Sequence, residues 1–310
     1  MRIVTTLPSA TEIVAALGLE PVGVSHECDY PPQVRNIPSI TRSRIDADAS
    51  SEDIDAQVLE AAAEDGVYDI DVETLDALEP ELVVTQGMCD VCAVDEVVIE
   101  RALEGIAAEP TVLTTDPHTV NDVLEDVKRV GRAAGVESRA ETVVTGLEAR
   151  LETVREQTVD IPSAERPRVA IFDWTEPAMI AGHWTAELVS WAGGSYGLAD
   201  VGERSRPREW EEIVAYDPEI IVIAPCGFDL EQTARNCSDL TGRDGWSELS
   251  AVREGRVWAL DGNHYCNRPG PRLVDTCEVL AQIIQPDRFD GESDETIAVP
   301  LADLSGRLEA

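Results

Sequence analysis

The chain has 310 residues, enough for two ordinary domains that each bury a core. Its 61 acidic residues outnumber 24 basic ones, for a formal net charge of −37, and Lys128 is the single lysine. Because the acids are spread through every segment, the surface repels nucleic acid and anionic membrane and reads as halophilic, suited to an interior whose salt screens the self-repulsion. Disorder is excluded by a hydrophobic content of 43% and by plentiful strand-like runs.

In chain order, Arg2–Thr6 reads as a strand and Leu7–Thr11 as the turn into a helix that ends at Gly18. No signal peptide is legible, since Pro8 and Glu12 break the first apolar stretch, and no run approaches the ~20 apolar residues of a membrane span. As written, the protein is expected in the cytoplasm; the alternative is an extracellular, membrane-associated protein whose start lies further upstream. Pro21–Ser25 reads as a second strand, leading into the loop His26–Pro32. A helix is expected near Ile54–Ala63, a strand at Pro110–Thr114, and a helix from about Thr119 to Ala134.

Glu137–Thr158 is the longest proline-free run with helical apolar spacing, at Val143, Val144, Leu147, Leu151 and Val154. As one helix it would reach ~33 Å at 1.5 Å per residue, which suits a strut between two lobes. The chain repeats itself on either side. Glu73 precedes Pro80-Glu81 and a β-branched run; Glu211 precedes Pro218-Glu219 and another, with seven residues from Glu to Pro in both. Beyond the strut, strands are expected at Arg168–Phe172 and Arg256–Leu260, and helices at His183–Ala192 and Leu273–Ile284. The acidic, proline-interrupted tail from Gln285 is expected to pack loosely. Alternation of strands and helices in each half gives an α/β fold with mostly parallel sheets. The divisions are 1–134 for the first lobe, 135–161 for the linking helix, 162–285 for the second lobe and 286–310 for the tail.

The chemically distinctive residues follow predicted strands. Ser9, His26, Cys28, Gln86, Cys89, Cys92, Trp174, Cys226, His264, Tyr265 and Cys266 all lie there, and parallel α/β sheets bind ligands at the carboxyl ends of their strands. Two such lobes face to face would line one cleft. Cys89 and Cys92 form a CxxC whose thiolates can chelate one soft metal, with Cys28, Cys226, Cys266, His26 or His264 completing a tetrahedron around zinc or an iron–sulfur cluster. A redox pair and two inert packed thiols are the other readings. Trp174, Trp184 and Tyr265 are placed either to stack on a flat ligand or to fill core. His118 and His183 read as ordinary solvated or packed histidines. No P-loop, GxGxxG, GxSxG or HExxH occurs, and no activated nucleophile is legible.

Three stretches resemble the cobalamin-binding proteins of ABC importers: Leu7-Pro-Ser-Ala-Thr-Glu12, Val22–Ser25 followed by Cys28–Gln33, and Asn267-Arg-Pro-Gly-Pro-Arg272. The resemblance covers residues 1–285. It implies two Rossmann-like lobes joined by one long backbone helix, and a monomeric, non-enzymatic binding protein. Its ligand would be cobalamin, another corrinoid or a related metal chelate, held between the lobes. Contacts to it are expected from Ser9, His26, Glu27, Gln86, Trp174, Trp184, His264, Tyr265 and Arg268. The resemblance further implies docking of Glu73 and Glu211 onto arginines of a membrane permease. For those two acids a first-turn helix role is the other reading. The family's secreted members carry a leader and aromatics at several ligand-facing positions, where this chain has Glu27 and His264. The second functional class open to the sequence is a cytoplasmic metal-handling or iron–sulfur protein built on Cys28, Cys89 and Cys92.

Overall fold

A computed structural model describes residues 1–62, 66–88, 96–289 and 294–304. The first lobe opens with β1 (Ile3–Thr5), α1 (Pro8–Ala16), β2 (Thr41–Ser43), α2 (Ser51–Ala62) and β3 (Tyr68–Ile70). It continues with α3 (Val72–Ala77), β4 (Leu82–Gln86), α4 (Glu96–Leu103), β5 (Thr111–Thr115) and α5 (Val120–Ala133). Its main sheet is parallel, ordered β1-β4-β5, with β2 and β3 paired apart from it. Pro21–Ser25 does not form the expected strand. Gly23 and Val24 make single bridges to Val4 and Ser39, because Pro21 and Pro38 lack the N–H groups a continuous ladder needs.

The strut is α6 (Glu137–Glu156), about 30 Å long at 1.5 Å per residue. Its buried stripe is Ala140, Val144, Leu147, Leu151 and Val154, and Val143 packs only partly against the core. The second lobe holds β6 (Val169–Trp174), β7 (Met179–Ile180), α7 (Thr185–Trp191), β8 (Arg206–Pro207), α8 (Trp210–Tyr216), β9 (Ile220–Ile223), α9 (Leu230–Asn236) and α10 (Ser238–Thr241). It closes with α11 (Ser250–Arg253), β10 (Val257–Leu260), α12 (Leu273–Ile284), β11 (Ala298–Pro300) and α13 (Leu301–Leu304). The sheet order is β11-β10-β9-β6-β7-β8, parallel in the centre and antiparallel at both edges.

The chain is thus an α/β protein of two lobes joined by one long helix. The described part of the tail is not loose. β11 pairs with β10 in register Ala259↔Val299, and Ile297, Ala298, Val299 and Leu304 are buried. The acids that dominate this segment's composition point away while four apolar side chains cover the sheet edge.

The internal repeat extends to its hydrogen bonds. The Glu81 N–H donates to the Arg2 carbonyl at 2.8 Å, as the Glu219 N–H does to that of Arg168 at 2.8 Å. The Arg2 N–H returns to Glu81 Oε2 at 2.6 Å, and the Arg168 N–H to Glu219 Oε2 at 3.0 Å. Arg2 Nε reaches the Glu79 carbonyl and Arg168 Nε that of Asp217, at 2.6 and 2.9 Å. Glu79 and Asp217 each turn their helix end with a left-handed φ, +44° and +46°. The Pro-Glu step therefore ties one helix end to the first strand of its lobe, twice.

One hydrophobic core runs through both lobes: Ile13 of α1, Val127 of α5, Leu147 and Leu151 of α6, Leu188 of α7 and Leu280 of α12 belong to it. Shared burial of this kind is what keeps two lobes on a single linker from moving as independent bodies. Among the described residues no helix is long and apolar enough to cross a membrane.

Candidate functional site at the lobe interface

The strand-end loops of both lobes meet. At the centre of that meeting is a buried ion cluster. Glu12 lies on α1 inside an otherwise apolar helix face and is 2% exposed, and Arg268, 6% exposed, comes from the loop before α12. Arg268 Nη1 donates to Glu12 Oε1 at 3.1 Å and to Asp29 Oδ1 at 2.5 Å. Arg272 Nη2 also donates to Glu12 Oε1, at 2.5 Å, and its guanidinium lies over the rings of Tyr30 and Tyr265 at 4.2 and 4.8 Å. Burial alone would push the Asp29 carboxyl up; the charge and hydrogen bond of Arg268, with His264 and Arg272, hold it below the usual carboxylate range.

His264 bridges the same cluster. Its Nδ1 is 2.7 Å from Asp261 Oδ2 and its Nε2 is 3.2 Å from Asp29 Oδ2. The ring is placed by one π-helical turn, Gly262–Cys266, started by Asp261, whose carboxylate accepts the His264 N–H at 2.7 Å. Such turns recur at functional sites. Thus two of the recognised sequence stretches, Leu7–Glu12 and Asn267–Arg272, are held together as one clamp.

Other proposed contact residues divide into exposed and sunken groups. His26 and Glu27 stand exposed on the first lobe, with His26 Nδ1 2.7 Å from Thr41 Oγ1, its ring 5.6 Å from Tyr68, and the Tyr68 hydroxyl 3.4 Å from Glu27 Oε1. The His26 ring itself is partly covered, 27% exposed, and this burial lowers its pKa. Trp174, half-buried at the end of β6, donates from Nε1 to the Glu176 carbonyl at 2.9 Å and lies 5.1 Å from the Phe228 ring, tilted. Ser9, in the first turn of α1, and Gln86, the last residue of β4, are buried.

Trp184 is sunk into the core. It is 3% exposed within the core, and its indole N–H is satisfied by the Cys266 carbonyl at 3.1 Å, which removes the polar reason for it to reach outward. Tyr265 is half-buried against Arg272.

The described thiols of the proposed metal set lie in separate environments. Cys28 is buried and shares a 3.0 Å hydrogen bond with Thr11 Oγ1; burial pushes its pKa up to about 12. Burial also pushes the Cys266 thiol well up. Cys226 is half-buried on the second lobe. Cys89 and Cys92 lie outside the described residues. Among the described residues no group of three or more His, Cys, Asp or Glu side chains could hold a metal.

Further hydrogen bonds cross between the lobes. Ser51, at the start of α2, donates its N–H to Asn236 Oδ1 at 3.3 Å and its hydroxyl to Asp239, which also accepts from Thr175 Oγ1 at 3.1 Å. Gln232 Nε2 donates to the Ala47 carbonyl at 2.9 Å. His118 and His183, expected to be ordinary surface or core residues, face each other with Nδ1 atoms 3.3 Å apart.

Sequence reasoning missed Glu12, Asp29, Asp261 and Arg272 as one unit. The available signal was Glu12 itself, an acid on the apolar side of a helix, which needs a cation.

Two α/β lobes, one connecting helix and a polar interface of strand-end loops define a solute-binding scaffold. The model of the family described as periplasmic binding protein matches residues 3–263. The chain belongs to that family. It is 27% identical over 294 residues to an uncharacterized ABC transporter substrate-binding lipoprotein of Bacillus subtilis strain 168, covering 93% of this chain and 81% of the relative. It is 24% identical over 289 residues to a vitamin B12-binding protein of Vibrio cholerae, covering 92% and 89%. In fold it is similar to a periplasmic heme-binding protein of Pseudomonas aeruginosa, with a TM-score of 0.68 at 22% identity over 94% and 95% of the two chains. It is likewise similar to the periplasmic vitamin B12 binding protein of Vibrio cholerae, with a TM-score of 0.64 at 20% identity over 93% and 98%.

Proposed function

We propose that the chain is the substrate-binding component of an ABC importer and holds a corrinoid, cobalamin in the first place, or a related metal chelate between its lobes. The carrying observation is the arrangement of side chains at the interface. His26, Glu27 and Tyr68 on the first lobe and half-buried Trp174, backed by the buried Phe228, on the second offer aromatic and polar surface, the composition that ligand clefts use. Relatives named for B12 binding and for ABC substrate binding, matched along more than nine-tenths of this chain, support the reading.

Ser51–Asp239 and Gln232–Ala47 span the interface in this conformation, so a chelate enters by parting these bonds. The buried Glu12–Arg268 cluster stays as the floor. Glu73 and Glu211 are exposed in the first turns of α3 and α8, one per lobe at the equivalent step of the repeat. This reading gives them the role of docking onto basic residues of the permease and places the protein on the outer face of the membrane.

Titrating the full chain in high salt with cyanocobalamin, and separately with hemin, followed by the visible spectrum, tests the proposal. Saturable one-to-one binding of a chelate is expected. Trp174→Ala should weaken it roughly tenfold, about 1.4 kcal/mol of aromatic contact. If neither compound binds the unaltered protein, the chelate reading fails.

A further inference from the structure

We propose that His118 and His183 form a two-histidine site for a first-row transition-metal dication, of the zinc, copper or nickel kind, that rivets the two lobes together. His118 sits just before α5 in the first lobe and His183 just before α7 in the second. Their Nδ1 atoms are 3.3 Å apart, and the ring centres lie 5.3 Å apart at 32°. Two imidazole nitrogens bound to one tetrahedral ion at about 2.0–2.1 Å stand about 3.4 Å apart, with ring centres about 5.2 Å apart. Both separations match. A direct Nδ1–H···Nδ1 hydrogen bond fits the same separation, and metal binding distinguishes the two.

The far side of His118 supports the same role. Its Nε2 lies 3.2 Å from Asp116 Oδ1. A carboxylate that accepts Nε2–H leaves Nδ1 without a proton and turns its lone pair toward His183. Metal-bound histidines are held in this way, by a carboxylate on the other ring nitrogen.

Both rings are presented by fixed backbone. The His118 N–H is held by Asp122 Oδ2 at 3.1 Å, within the cap of α5. His183 has a left-handed φ of +53°, and its N–H is bound to the Glu203 carbonyl at 2.5 Å. The preceding Gly182 lies so close that a Cβ there would stand 2.2 Å from the same carbonyl. A histidine kept in a conformation that costs of order 1–3 kcal/mol is a common mark of a site. Among the described residues no third His, Cys, Asp or Glu joins the pair, so water completes the ion's shell. The site shares no residue with the chelate contacts named above and stands or falls separately.

Co2+ is the probe. The chelator-stripped full chain in high salt should bind one equivalent, with visible d–d bands and no near-ultraviolet thiolate-to-cobalt band, and Zn2+ should displace it. His118→Ala and His183→Gly should each weaken binding at least tenfold. Glycine suits position 183 because it adopts the left-handed φ without strain, so this variant folds. Asp116→Asn should weaken binding about tenfold through its effect on His118. Absence of cobalt binding, binding that survives His183→Gly, or a thiolate band would each overturn the assignment.

Discussion

Replacing Glu12 with alanine should remove about 3–5 kcal/mol of stability, the range measured when one member of a buried ion cluster is deleted. Among the described residues, Glu12 is the carboxylate hydrogen-bonded by both Arg268 and Arg272. Without it Arg268 keeps Asp29, while Arg272 keeps the rings of Tyr30 and Tyr265 and the more distant charge of Asp29. A half-buried guanidinium then loses its hydrogen-bonded carboxylate, at the floor of both lobes. The loss should be read by denaturant or thermal unfolding at fixed high salt. A change under about 1 kcal/mol, the worth of an exposed pair, would show that the cluster is solvated and does not join the lobes. The double variant with Arg268→Ala should lose less than the sum of the two single losses, because the two groups share one interaction.

Gly262→Ala should be comparably damaging for a steric reason. A Cβ at Gly262 would stand 2.1 Å from the Pro225 carbonyl oxygen and 2.6 Å from that of Ala224. Both are backbone atoms at the end of β9, so no side chain can rotate away. Relief requires the π-helical turn to move off the sheet, and His264 moves with it. A loss of about 3 kcal/mol is expected, at the upper end of ordinary overpacking. A near-neutral Gly262→Ala would mean that the turn is loosely attached and that His264 is not fixed against Asp29.

Much of the fold was legible because its signals are local. The stripe Val144, Leu147, Leu151 and Val154 fixed α6 within two residues at its far end. The Pro-Glu repeat marked equivalent helix–strand units, and the structure extends that likeness to Arg2 and Arg168. Two expectations failed where local pattern and long-range pairing disagree. Pro21–Ser25 has strand composition, but its partners are interrupted by Pro38. The tail is acidic overall, yet Ile297, Ala298 and Val299 are buried in succession where β11 joins the sheet edge.

The site was legible as a set of loops and not as a set of contacts. Strand ends could be read from hydrophobic runs, and His264 and Trp174 do follow β10 and end β6. Whether a residue in those loops turns inward depends on partners far along the chain. Trp184 found the Cys266 carbonyl and sank into the core. Cys28 found Thr11. Arg268 found Glu12, 256 positions away, and His118 found His183, 65 positions away. No periodicity encodes such pairs.

The central claim is that both lobes clasp one chelate at their strand ends, and hydrogen exchange with and without saturating cyanocobalamin tests it most directly. The account predicts slowed exchange in the first lobe at residues 25–28 and in the second at residues 174–176 and 225–228. Protection confined to one lobe, or an exchange pattern that cobalamin leaves unchanged, would contradict it.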